Sequence, residues 1–189
     1  PYSNPRLTDG PDRECLSDRL VDEAIAQLQL GDERPTFLHL AFYDVHTPIQ
    51  ADPDCRRNTL ERHEDWSKRD ANYDCMVRRP DAALGRLLDH LDDDALIIVC
   101  SDHGGVATLA QQGDLRGTKG QLLEGGIRTP LIVAGPTVVP GSTHAAPVSL
   151  HDIAPTIHDW RGPQPAPAHD GHSLSPLYTY PRPRDEGDT

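Results

Sequence analysis

The chain has 189 residues and a formal net charge of −12, a length sufficient for one domain with a real core. Its acidic balance disfavours phosphate backbones and anionic lipids, which argues against nucleic-acid binding. No apolar stretch approaches the length that spans a bilayer.

The opening PYSNPRLTDGPDREC reads as loop, and the missing initiator Met makes the chain read as part of a longer protein. Residues 17–30 predict an amphipathic helix. Leu20, Ala24 and Leu28 share one stripe with Val21 and Ile25 beside it, Ser17 is placed to cap the start, and Gly31 to end it. After Pro35, residues 36–43 (TFLHLAFY) are apolar on both faces, as a strand inside a sheet is. The polar loop DVHTP (44–48) follows. Residues 56–68 are strongly charged and read as a solvated excursion. Helical spacing returns over 72–91 through Tyr73, Met76, Val77, Leu84, Leu87, Leu88 and Leu91, with Pro80 expected to kink or split the helix. Residues 95–100 (ALIIVC) predict a second buried strand, 130–134 (PLIVA) a third, and 152–160 a short helix capped by Asp152. No strong pattern follows Leu177, where Pro, Asp and His accumulate, and there are no internal repeats.

Helices alternating with short buried strands predict an α/β fold with a mainly parallel sheet flanked by helices. In such sheets ligands sit beyond the carboxyl ends of strands, which is where the His46 and Asp102 loops fall. Cys15, Cys55, Cys75 and Cys100 show no C-x-x-C spacing, which leaves disulfide pairing open. Cys100, closing an apolar run, is expected to be a buried thiol.

Three motifs carry chemistry. Asp102 and His103 sit between a strand and Gly104-Gly105, where a carboxylate suits a hard divalent cation; a turn cap beside a surface His is the plain alternative. Lys119 lies within RGTKG (116–120), ahead of EGGIR (124–128). The glycines let backbone approach a ligand, and the ammonium suits an anion or charge on a leaving oxygen. An incidental surface charge is the alternative, yet Lys68 and Lys119 are the only lysines, and one stands here. His46, with Pro48 restricting the chain before it, is placed to donate to a substrate oxygen or move a proton. A loop His bonded to its own backbone is the alternative. His39, His63, His90, His144, His158, His169 and His172 show no usable partner spacing.

The order of these pieces resembles the sulfatase family of the alkaline-phosphatase superfamily. The matching text is FYDVHTPIQ (42–50), LIIVCSDHGG (96–105), LRGTKGQLLEGGIRTPLIVAGP (115–136) and SLHDIAPT (149–156). CLSDRLVDEAI (15–25) is similar to the helix before the HTP strand, and DGHSL (170–174) to the segment after the core. The resemblance divides the chain into a loop lead-in (1–14), the back half of a catalytic domain (15–162) and a Pro/Asp/His-rich post-core segment (163–189).

The resemblance implies hydrolysis of a sulfate monoester. Asp102 and His103 would be metal ligands, Lys119 would bridge the sulfate and the leaving oxygen, and His46 would contact the ester and protonate the leaving group. The implied cofactor is a divalent metal, Ca2+ first, with Mg2+ or Mn2+ entering because His103 replaces the Asn common in arylsulfatases. Asp-His also occurs in superfamily members acting on phosphonate or phosphate esters, which keeps a phosphonate or phosphodiester hydrolase as the alternative. A non-catalytic anion-binding domain is another. The family's C-x-P-x-R or C-x-A-x-R nucleophile motif, whose Cys becomes formylglycine, and its Asp-Asp pair have no match here. Cys15-Leu16-Ser17-Asp18-Arg19 lacks the Pro or Ala and matches the helix start instead. The implied partner is a sulfated small molecule or glycan. The 189 residues alone are expected to be inactive, and a sheet cut short is expected to expose strand edges and aggregate. Compartment (periplasmic, secreted or cytoplasmic) and oligomeric state stay open.

Overall fold

The computed structural model describes residues 10, 14–31, 34–162 and 168–179. Most of the lead-in (1–9 and 11–13) and parts of the post-core segment (163–167 and 180–189) lie outside the described residues. Two compact units divide between Leu91 and Asp92.

Among its described residues, the first unit is built on three helices, α1 (Leu16–Gln29), α2 (Pro53–Arg62) and α3 (Lys68–Leu88). Val21 and Ala24 of α1 pack with Ala83 and Leu87 of α3, joined by Ile25, Leu28, Leu84 and Leu91. Each fully buried Val or Leu contributes on the order of 2 kcal/mol. Charged pairs frame this contact: Arg79 meets Asp18 at 2.7 Å, and Arg86 meets Asp22 at 2.7 Å and Asp18 at 3.2 Å.

Ser17 does not cap α1. Cys15 stands at the N-cap with no side-chain bond, and Ser17 is fully buried with its hydroxyl donated to the Asp44 carboxylate. The first turn of the helix thus anchors a distant loop.

Helix α2 enters the charged excursion, forming its first half. Asp52 caps it by accepting from Asp54 N and Cys55 N, and Pro53 pre-sets the first turn. A disulfide joins Cys55 to Cys75 of α3. Beside it, fully buried Thr59 donates to Asp74 Oδ2 at 3.3 Å. The Arg78 guanidinium, 2.7 Å from Asp74, holds that carboxyl below the usual range.

Helix α3 starts earlier than its apolar spacing indicates, because Ser67 and Asp70 form a reciprocal capping box. Pro80 does not split it. The helix continues for 21 residues, since Pro removes one main-chain bond while buried Ala83 and Leu87 hold the next turns against α1.

Residues 36–43 do not form the expected buried strand; they pair with no other strand among the described residues. Leu40 and Phe42 face the α1/α3 core at alternate positions, whereas Phe37 is 74% exposed. An extended segment becomes a strand only when a neighbour takes up its N–H and C=O groups.

In the second unit, β1 (Ile97–Cys100) pairs antiparallel with β2 (Leu131–Ala134), Ile97 opposite Ala134 and Cys100 opposite Leu131. This is the one sheet among the described residues, two antiparallel strands where a mainly parallel sheet was expected. The class α/β holds. Strand β1 is half-buried, and Cys100 is an exposed free thiol, not a buried one. With one paired neighbour, little covers its end.

After β2, a 3-10 turn (Leu150–Asp152) leads into α5 (Ile153–Trp160); the single-turn helices α4 (Glu124–Ile127) and α6 (Ser175–Tyr178) complete the unit. Asp152 does not cap α5 with its side chain. Its carboxylate instead accepts from Ser149 N at 2.7 Å and His172 N at 2.8 Å. The His172 and Ser149 amides hold it below the usual carboxylate range. Buried Thr156 donates to Asp152 O and accepts from Leu174 N at 2.8 Å, so residues 171–174 dock on α5.

Candidate active site

His46 belongs to the first unit; Asp102, His103 and Lys119 belong to the second. In the first unit, α1 holds the loop at Asp44 through Ser17, and α3 holds it at Ile49, whose carbonyl accepts from Asn72 Nδ2 at 3.2 Å. The peptides Asp44–Val45 and Thr47–Pro48 are both cis. Within the loop, His46 N donates to Tyr43 O at 3.0 Å. The His46 ring places Nδ1 3.0 Å from Thr47 O and 3.0 Å from Tyr43 Oη. The side chain is exposed, and the ring's hydrogen bonds among the described residues all use Nδ1, leaving Nε2 free of them.

In the second unit, two backbone bonds lace the Asp102 loop to the glycine-rich loop, and a third closes the glycine-rich loop on itself. Gly104 N donates to Gly126 O at 2.8 Å, Lys119 N to Gly105 O at 2.9 Å, and Gly125 N to Arg116 O at 2.7 Å. Thr129 Oγ1 adds a bond to Ser101 O at 3.2 Å. This lacing needs glycine: a Cβ on Gly104 would overlap the Gly125 carbonyl. Gly117 and Gly120, at φ 90° and 85°, turn the chain sharply on either side of Lys119. The Lys119 side chain is exposed. The structure therefore ties the lysine loop directly to the loop of Asp102 and His103.

Asp102 Oδ2 lies 3.2 Å from His103 Nε2, and His103 Nδ1 lies 3.0 Å from Gly104 O. Both ring nitrogens thus face acceptor oxygens. One hard oxygen and one nitrogen fit two ligands of a divalent cation. No group of three His, Cys, Asp or Glu side chains arranged to hold a metal occurs among the described residues.

Sequence reasoning missed Tyr43, Ser17, Asn72 and Asp44 as supports of the His46 loop. Tyr43 carried one usable signal, a polar-tipped aromatic three residues before the histidine at the end of an apolar run. Ser17 and Asn72 carried none, because their bonds reach 27 and 23 residues along the chain.

A family model described as Sulfatase matches residues 1–163. The steryl-sulfatase of Mus musculus is 34% identical over 180 residues, covering 86% of this chain and 27% of that protein. The choline-sulfatase of Rhizobium meliloti (strain 1021) is 37% identical over 118 residues, covering 56% of this chain and 21% of its own length. The crystal structure of Ps i-CgsB in complex with k-i-k-neocarrahexaose superposes with a TM-score of 0.79 at 28% identity, over 91% of this chain and 40% of that one. The chain thus spans less than a third of the two curated relatives named. With the family model covering residues 1–163 of 189, the chain belongs to the sulfatase family.

Proposed function

We propose that this chain forms the leaving-group side and part of the metal shell of a hydrolase that cleaves sulfate monoesters of a small molecule or glycan. The observation that carries the reading is the lacing of the Lys119 loop to the Asp102–His103 loop, Lys119 N to Gly105 O at 2.9 Å. It holds Lys119 and the Asp102–His103 pair on loops joined by main-chain hydrogen bonds. Membership of the sulfatase family, and relatives named as sulfatases, support the reaction class.

In this reading the S–O bond to the leaving alcohol breaks while Lys119 stabilises the charge growing on the leaving oxygen. His46, taken in its own unit, is a proton donor to an ester leaving group through Nε2 of its imidazolium form, the nitrogen its loop leaves free. Asp102 and His103 would hold a divalent cation. Bound there, such a cation supplies polarisation of the ester and lowers the pKa of the attacking oxygen. We place the nucleophile, a formylglycine hydrate, and the remaining carboxylate ligands in sequence outside these 189 residues. The β1–β2 ladder then belongs to a larger, mainly parallel sheet.

The test uses the full-length gene product on paired aryl sulfate and aryl phosphonate substrates. Sulfate hydrolysis should dominate, and Lys119→Ala should lower kcat/KM for the sulfate by about 10²–10³-fold. Faster phosphonate turnover, or full sulfate activity in the Lys119→Ala protein, would overturn the reading.

A further inference from the structure

We propose that Tyr43 is a positioning residue for His46, fixing Nδ1–H so that Nε2 of the imidazolium meets the ester oxygen, gives up its proton there and leaves the ring as the Nδ1–H tautomer. The inference rests on the acid role given to His46 above. Three atoms form a closed triangle: His46 Nδ1 is 3.0 Å from Tyr43 Oη and 3.0 Å from Thr47 O, and Tyr43 Oη is 3.2 Å from Thr47 O.

A carbonyl oxygen only accepts, so the bookkeeping has one good solution. The Tyr43 hydroxyl donates to Thr47 O, and Nδ1–H is shared between Thr47 O and the lone pairs of Tyr43 Oη. The opposite tautomer would set the Nδ1 lone pair against the Thr47 carbonyl. The two rings also touch, with centroids 5.0 Å apart and planes at 51°, so the tyrosine limits the tilt of the imidazole as well. Thr47 O alone would leave the ring free to swing about that one bond. Thr47 Oγ1, at 3.4 Å from Nδ1, is too distant to replace the phenol.

A positioned acid matters in proportion to how much the leaving group needs a proton. An alkyl sulfate departs as a poor leaving group and needs it. A nitrophenyl sulfate departs as a stable anion and needs it little. In the full-length protein, Tyr43→Phe should therefore lower kcat on an alkyl sulfate by about tenfold, with KM and the nitrophenyl sulfate rate changed less than about twofold. His46→Gln should show the same selectivity more strongly. Equal losses on both substrates for Tyr43→Phe, or no loss on either, would overturn the inference. If His46→Gln itself shows no selectivity, the acid role of His46 falls, and Tyr43's with it. If His46→Gln shows it and Tyr43→Phe does not, only the tyrosine inference falls. A second measurement is independent of how the variants fold. The 15N shifts of the neutral His46 ring in the unmodified protein, the form left once the proton is given up, should report a protonated Nδ1 and a bare Nε2. The reverse tautomer would overturn the inference.

Discussion

Replacing Gly104 with alanine strikes the joint between the two site loops. The new Cβ would overlap the Gly125 carbonyl oxygen, with Gly125 C at 2.9 Å and Gly126 Cα at 3.0 Å. All are backbone atoms, so no side chain can swing aside. Carbon atoms pack at about 3.5–4.0 Å, so the loops must part by at least about 0.5–1 Å. That movement strains the bond from Gly104 N to Gly126 O, 2.8 Å long and formed between two buried glycines. Overpacking costs about 1–3 kcal/mol, and an orphaned buried peptide group about as much again, for a combined loss of about 2–6 kcal/mol. Lys119 moves too, because its N–H is bonded to Gly105 O. A displacement of about 1 Å in a reacting site costs on the order of 100-fold in rate. Urea unfolding and sulfate-ester turnover of the full-length protein measure both. Gly85→Ala is the comparator: an exposed glycine inside α3 with nothing within 4 Å of the new Cβ. There the same change should stabilise by about 0.5–1 kcal/mol. If Gly104→Ala is as well tolerated as Gly85→Ala and keeps its turnover, the close backbone approach does not hold the site together.

Two further outcomes follow from the packing of each unit. The Cys55–Cys75 bond closes a loop across a separation of 20 residues, which on chain-entropy grounds stabilises by about 3 kcal/mol. The double variant Cys55→Ser/Cys75→Ser should lower the urea midpoint accordingly, and an unchanged midpoint would show that α2 and α3 hold together without it. Asp152 has a carboxyl held below its ordinary value by the His172 and Ser149 amides. Its contribution is therefore complete above the ordinary carboxylate value near pH 4 and is lost as pH falls through the lowered folded one. The gap in urea midpoint between the unmodified protein and Asp152→Asn should be widest near pH 6 and close below pH 4. A gap that does not change with pH would contradict the role of the charge.

Most of what the sequence determined by itself was local or carried by short strings. The helical stripe of Leu20, Ala24 and Leu28 with Val21 and Ile25 beside it, of which all but Leu20 join the core, the apolar runs that became β1 and β2, and the glycine-flanked Lys119 were legible. Periodicity and glycine placement are properties of neighbouring residues. Family membership was legible for the same reason, since the DHGG, GTKG and EGGIR strings keep their order along the chain. Tertiary structure decided what depends on a distant partner. A serine at a helix start reads as a cap, yet Ser17 is spent on Asp44. An apolar run reads as a strand, yet residues 36–43 meet no ladder partner among the described residues. Cys55 and Cys75, with no telling spacing, become a disulfide only when α2 lies along α3. Asp152, read as a cap, instead joins two loops, and Tyr43 gains its role only where the loop folds back to set Thr47 O beside it. Each of these turns on a hydrogen bond, a covalent bond or a contact that the chain must fold to make, and residue type alone does not specify which partner will be there.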